Sequence, residues 1–215
     1  MSDLPLLVLG AGGHAKVLVG ALKRSGANLL GLVDPDPARH GALVLGVPVL
    51  GGDEVLDRHP PGTVLLVNGL GSVGSLAPRA ALYHRFHSLG YRFTRVIDPS
   101  AVVGEEVTLG EGCQVMAGAV IQPGAVIGED TIVNTGARLD HDTVIGSHCH
   151  VAPGAVLSGG VVIENLVHIG TGAAIRQGIH VGSGAVVGVG AAVVANIPAG
   201  TVAGGVPARP LTGED

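Results

Sequence analysis

From residue 102 onward the apolar positions recur every six residues without a break. Cut there, the chain reads VVGEEV, TLGEGC, QVMAGA, VIQPGA, VIGEDT, IVNTGA, RLDHDT, VIGSHC, HVAPGA, VLSGGV, VIENLV, HIGTGA, AIRQGI, HVGSGA, VVGVGA and AVVANI, sixteen hexads ending at Ile197. The second position is Val, Leu or Ile in all sixteen, the sixth is confined to Ala, Cys, Thr, Val or Ile, and the fifth is Gly in ten. This rhythm predicts a parallel β-helix in which each hexad is one short strand and one corner, and three hexads make one triangular coil. Position two points inward, coils stack at about 4.8 Å, and the glycines mark corners that need positive φ.

The first hundred residues follow a different pattern. LPLLVLGAGGHAKVLVGALKRSG predicts a strand over 6–9, a glycine turn, and an amphipathic helix to about Arg24. NLLGLVD is a second strand ending at Asp34, PPGTVLLVNG a third ending near Asn68, and LAPRAALYHRFHSLG a second helix whose aromatics face the sheet. The fold class expected is therefore α/β, a half-Rossmann βαβαβ domain over 1–98, followed by an all-β helix with a C-terminal cap over 99–215.

Composition narrows the function. The formal charge is -5 with 13% charged residues, and the four aromatics, Tyr83, Phe86, Tyr91 and Phe93, lie in one short segment. Neither a basic field nor a spread of stacking platforms is present, so no nucleic-acid partner is expected. The apolar run at the start is too short for a membrane span or signal core, and a cytoplasmic protein is expected. Cys113 and Cys149 both occupy position six, two coils apart, roughly 9 to 10 Å, beyond disulfide reach.

Two constellations carry chemistry. Gly10, Gly12 and Ala15 fit G-x-G-x-x-G/A between strand and helix, and Asp34 ends the next strand. Backbone N–H groups at the helix mouth suit phosphate oxygens, and Asp34 suits a ribose or base. Read alone the motif says dinucleotide; the small number of strands favours one nucleotide carrying a sugar. His14, at the helix mouth, either meets a substrate hydroxyl or caps the helix. In the second half, His141 and Asp142 fall at positions four and five of one hexad, on an outward corner. An imidazole oriented by a carboxylate is what a general base requires. Gly159 follows His141 by one full coil, so its N–H suits a developing oxyanion. His150 lies half a coil from His141 and cannot share its face within one subunit. His148 and His168 raise the alternative of a histidine metal site shared between subunits, but no H-x4-H pair accompanies a distant histidine, and no metal is expected.

With GAGGHAKV, the hexads and NTGARLDHDTVIG in place, the chain resembles the sialic-acid-O-acetyltransferase-like family of bacterial acyltransferases. Its best-understood members N-acetylate nucleotide-linked 4-amino sugars of the bacillosamine and perosamine type. The resemblance covers nearly the whole chain and implies a left-handed β-helix, a homotrimer and acetyl-CoA as cosubstrate. It places the catalytic histidine on His141, its orienting acid on Asp142 and a sugar-placing asparagine on Asn134. It assigns contacts with acetyl-CoA to His150, Gly159, Thr171 and Gly188, with GGVPAR closing over the cofactor. Nucleotide-sugar contacts fall on Gly12, Gly13, His14 and Asp34. Two departures bear on sugar and base: Asp98 stands where the family often has His, and NGLGSVG replaces a loop closer to I-G-D-N. The implied reaction is acetyl-CoA-dependent N-acetylation of the sugar's 4-amino group by direct transfer. The rivals are O-acetylation of a sialic acid or other sugar hydroxyl, a zinc hydratase, and a non-catalytic nucleotide-sugar-binding trimer.

Overall fold

The computed structural model describes residues 4–72 and 74–211, and the chain divides into two compact units, Met1–Pro99 and Ser100–Asp215. In the first unit, β1 (Leu6–Leu9) is followed by α1 (Gly13–Arg24), β2 (Leu29–Val33), β3 (Leu43–Val44), β4 (Val47–Gly51), β5 (Leu65–Asn68) and α2 (Ala77–Ser88). The sheet order is β3-β4-β2-β1-β5, parallel except for the β3–β4 hairpin. β1 lies between β2 and β5 and is fully buried, as its unbroken LLVL run requires of a strand covered on both faces. α1 buries Ala15, Leu18, Val19, Ala21 and Leu22 on one stripe, and Gly26 at φ +70° ends it. Tyr83, Phe86, Tyr91 and Phe93 pack with Leu7, Leu9 and Leu66 in one core cluster.

The connection between β2 and β5 departs from the expected βαβαβ succession. No α-helix lies there; a 3-10 turn (Pro37–Arg39), the β3–β4 hairpin and a second 3-10 segment (Asp53–Arg58) fill the interval. Leu45 and Gly46 at the hairpin turn both have positive φ, +50° and +83°, the combination that two-residue turns between twisted strands favour.

In the second unit every hexad supplies a two-residue strand at its first two positions, from Val102–Val103 to Ala192–Val193. Each strand pairs in parallel with those one coil before and after: Val120 with Val102 and Arg138, Val126 with Thr108 and Val144, Ile132 with Gln114 and His150. Three sheets result, and position-two and position-six side chains fill the interior as one continuous cluster. Each fully buried Leu, Ile or Val contributes about 1.5–3 kcal/mol. Val103, on the end rung, is the exception and stays 37% exposed. Cys113 and Cys149 are free and buried, and burial pushes the Cys149 thiol up to about 11.

All fifteen corners from 106 to 190 place their fifth residue between φ +52° and +75°. Glycine adopts this at no steric cost, yet Glu106, Asp130, Asp142, His148 and Leu166 also adopt it. A side chain there costs roughly 1–2 kcal/mol, a local strain that the stacked coils absorb at these five corners. The hexad rhythm stops at Ile197. The chain then adds Val202–Gly204 in parallel to Val186–Val187 and folds back through Arg209–Pro210, antiparallel, with Ala208 N–H donating to Ala192 O. GGVPAR thus caps the end of the prism.

Candidate functional site

The corner after Arg138–Leu139 carries the ionisable cluster. Asp140 Oδ1 accepts the His141 N–H at 2.8 Å, and Thr143 Oγ1 donates to Asp140 O at 2.6 Å, which fixes the corner backbone. His141 Nδ1 lies 2.8 Å from Asp142 Oδ2, with the two side chains 55% and 74% exposed. The hydrogen bond to Asp142 raises the His141 pKa above its usual value; desolvation opposes it, and the charges of Asp140 and Asp142 add to the rise. With Nδ1–H held by the carboxylate, Nε2 is left as the basic nitrogen.

The neighbouring coils leave room for this pair. A Cβ at Gly159 would collide with His141 Nε2, and one at Gly124 would lie 2.8 Å from Asp142 Oδ1. The ring therefore sits over Gly159, whose N–H makes no hydrogen bond among the described residues. Gly159→Ala is expected to expel the ring from this seat with little loss of fold, since Gly159 has no positive φ. A shifted His141 signal in histidine-edited NMR, beside an unchanged thermal transition, is the check.

The other residues assigned to the second unit are dispersed. His150 and His168 are paired neighbours in one sheet, their rings 5.0 Å apart and edge-on at 79°. Asn134 Nδ2 meets His150 Nε2 at 2.9 Å, so the asparagine expected to place a sugar is engaged by a histidine of the next coil. Thr171 is exposed, and its N–H is also unengaged among the described residues. Gly188 differs: its N–H donates to Ala203 O at 2.7 Å because the last coil stacks on it, so it has no N–H to offer a cofactor. His148 is buried against Asp130, Nδ1 to Oδ2 3.1 Å. Among the described residues no group of three or more His, Cys, Asp or Glu is placed to hold a metal ion.

In the first unit the glycine turn ends β1, and α1 begins at Gly13 with Gly12 at its N-cap position, where a residue without a side chain makes no capping bond. Asp34 braces this turn from below: Oδ2 accepts the Ala11 N–H at 2.7 Å and Oδ1 the Asp36 N–H at 3.0 Å. Its buried carboxylate is thus first a structural acceptor, with only its remaining lone pairs left for a ligand. A pocket of about 430 Å³ opens beside the turn, lined by Gly12, Gly13, Lys16, Arg39, Leu43 and Leu45 among others. His14, the second residue of α1, is half-buried and is not among the residues lining that pocket.

Sequence reasoning missed Lys16 and Arg39, the two cations of this pocket; Arg39 is steered there by Ala11 O at 2.9 Å. Their only signal was position, Lys16 in the first turn of α1 and Arg39 five residues past Asp34. It also missed Arg79, fully buried, whose Nη1 donates to Asn68 O at 3.1 Å and Leu70 O at 2.6 Å. This clamp holds Asn68–Leu70, the start of the NGLGSVG loop, close to the end of β1, where Gly69 admits no Cβ: one would lie 2.6 Å from Leu9 O. Asp98, the other departure from the family pattern, is buried and ion-paired with Arg24.

Residues 5–86 match the PglD N-terminal domain, and residues 124–159 match the bacterial transferase hexapeptide (six repeats). No curated protein matches the sequence. Among solved structures, the H141N variant of perosamine N-acetyltransferase from Caulobacter crescentus, in complex with CoA and GDP-perosamine, is 37% identical over 97% of both chains, TM-score 0.89. The acetyltransferase domain of PglB from Neisseria gonorrhoeae, in complex with acetyl coenzyme A, is 36% identical over 98% of this chain and 100% of that one, TM-score 0.90. WeeI from Acinetobacter baumannii is 29% identical over 97% and 100%, TM-score 0.84. Two-domain agreement of this extent identifies the coils as a left-handed β-helix. The chain belongs to the hexapeptide-repeat acetyltransferases that carry a PglD-type N-terminal domain.

Proposed function

We propose that the protein transfers acetyl from acetyl-CoA to the 4-amino group of a nucleotide-linked sugar. The observation that carries this reading is the His141–Asp142 pair seated over Gly159, whose N–H is unspent. His141 Nε2 takes a proton from the amine as nitrogen attacks the thioester carbon, and Asp142 steadies the imidazolium. Gly159 N–H donates to the oxyanion. The C–N bond forms, the C–S bond breaks, and coenzyme A leaves as thiol, with no acyl-enzyme.

The relatives solved with GDP-perosamine, CoA and acetyl-CoA support these substrate classes. In the first unit, the uncapped start of α1 at Gly12 and Gly13, with Lys16 and Arg39, receives the diphosphate, and Asp34 holds the turn that presents them. Thr171 and His150 serve acetyl-CoA. His141 and His150 belong to different faces of one prism, so a site that uses both is assembled from two copies, as in a homotrimer.

A thermal-shift panel of nucleotides and nucleotide sugars, with and without coenzyme A, tests the reading. A ligand at a hundred times its Kd adds about 2.7 kcal/mol, or about 5–10 °C for a chain of this size. Mass spectrometry of the product then shows one acetyl on the sugar nitrogen. Nucleotide binding without consumption of acetyl-CoA defeats the proposal, and acetyl on oxygen moves it to a hydroxyl acceptor. The pH profile is a further check. Because His141 works deprotonated and Asp142 raises its pKa, kcat/KM rises through a limb above the usual histidine range, and Asp142→Asn moves that limb to lower pH.

A further inference from the structure

Asn134, His150 and His168 lie on successive coils of one face, His150 registered between Ile132 and His168. The direction of the Asn134 amide is fixed from outside the pair. Its Oδ1 accepts the Thr135 N–H at 2.8 Å and lies 3.4 Å from the Thr135 hydroxyl. A backbone N–H only donates, so the oxygen end must face Thr135 and the NH2 end must face His150 Nε2, 2.9 Å away. An amide NH2 also only donates, so Nε2 accepts and carries no proton. In a neutral imidazole the proton is then on Nδ1. His168 walls the other side of the ring edge-on, and its own partial burial holds its pKa below the usual value, keeping a second positive charge away.

We propose that Asn134 is a positioning residue for the acyl donor rather than for the sugar: it locks His150 as the neutral Nδ1–H tautomer, a hydrogen-bond donor and not a base. This rests on the reading of His150 as an acetyl-CoA contact. The two histidines of the site then have opposite assignments imposed by their partners. A carboxylate on Nδ1 makes His141 a base through Nε2, whereas an amide on Nε2 makes His150 a donor through Nδ1.

The test uses the full-length, ligand-free protein with 15N-labelled histidine, in long-range 1H–15N correlation spectra, with His150 assigned by its loss in His150→Gln. The expected result is an unprotonated Nε2 and a protonated Nδ1 near neutral pH. Asn134→Asp puts an acceptor where the amide donated, and the expected spectrum shows a proton on Nε2. In steady-state kinetics the same variant is expected to raise KM for acetyl-CoA about tenfold, the scale of one hydrogen bond, with KM for the nucleotide sugar near wild type. A wild-type His150 protonated on Nε2 overturns the proposal, as does an Asn134→Asp effect confined to the sugar's KM. Because the tautomer is read without turnover, the lock stands or falls separately from the acetyl-transfer reading.

Discussion

Ile163→Asp is expected to leave the protein without a folded prism. Ile163 is 1% exposed and stands between Ile145 and Val181 in one inward ladder. The substitution forfeits about 1.5–3 kcal/mol of burial and places a carboxylate among aliphatic groups with no partner, which costs several kcal/mol more. A domain has about 5–15 kcal/mol in all, and each coil is held only by its neighbours, so the defect interrupts the stack at its middle. The expected readout is loss of the cooperative thermal transition and of soluble protein. Val189→Asp is the contrast: an equally apolar residue at a corner, 78% exposed, whose replacement leaves the transition in place. Equal losses at both positions would contradict the assignment of inside and outside.

His141→Ala is expected to lower kcat by about 10²–10⁴, the usual contribution of a positioned general base, with coenzyme A affinity close to wild type. The reasoning is geometric. The ring is exposed, touches Asp142 on one side and overlies Gly159 on the other, and no strand pairing passes through it. Its removal therefore deletes a proton acceptor and little else. Turnover with the amino-sugar acceptor and calorimetric titration with coenzyme A separate the two quantities. Retained kcat would take the base role from His141, and a parallel loss of coenzyme A binding would make it a cofactor contact instead.

The prism was legible because its information is local and repeated. One aliphatic residue every six positions sets strand, phase and interior, and the same phase put Cys113 and Cys149 inside and His141 with Asp142 on a corner. Adjacent residues such as these two keep their relation under any reasonable fold. Asn134 and His150 are sixteen residues apart and meet only because coils stack, so their hydrogen bond has no signature in the sequence. The β3–β4 hairpin escaped for a different reason: its turn is Leu45-Gly46, and leucine at positive φ lacks the Asn-Gly or Asp-Gly cue that marks such turns. Arg79 was unreadable because a guanidinium is almost always at the surface, and here two loop carbonyls offset its burial.

Parallel rungs have no intrinsic last member, since each exposes the same unpaired row of N–H and C=O groups that received it. The antiparallel return at Arg209–Pro210 supplies a terminus, and Pro210 there has no N–H to donate onward. On this one of the three sheets the irregular tail thus blunts an edge that would otherwise template pairing between copies, a hazard that every repeat of this regularity carries.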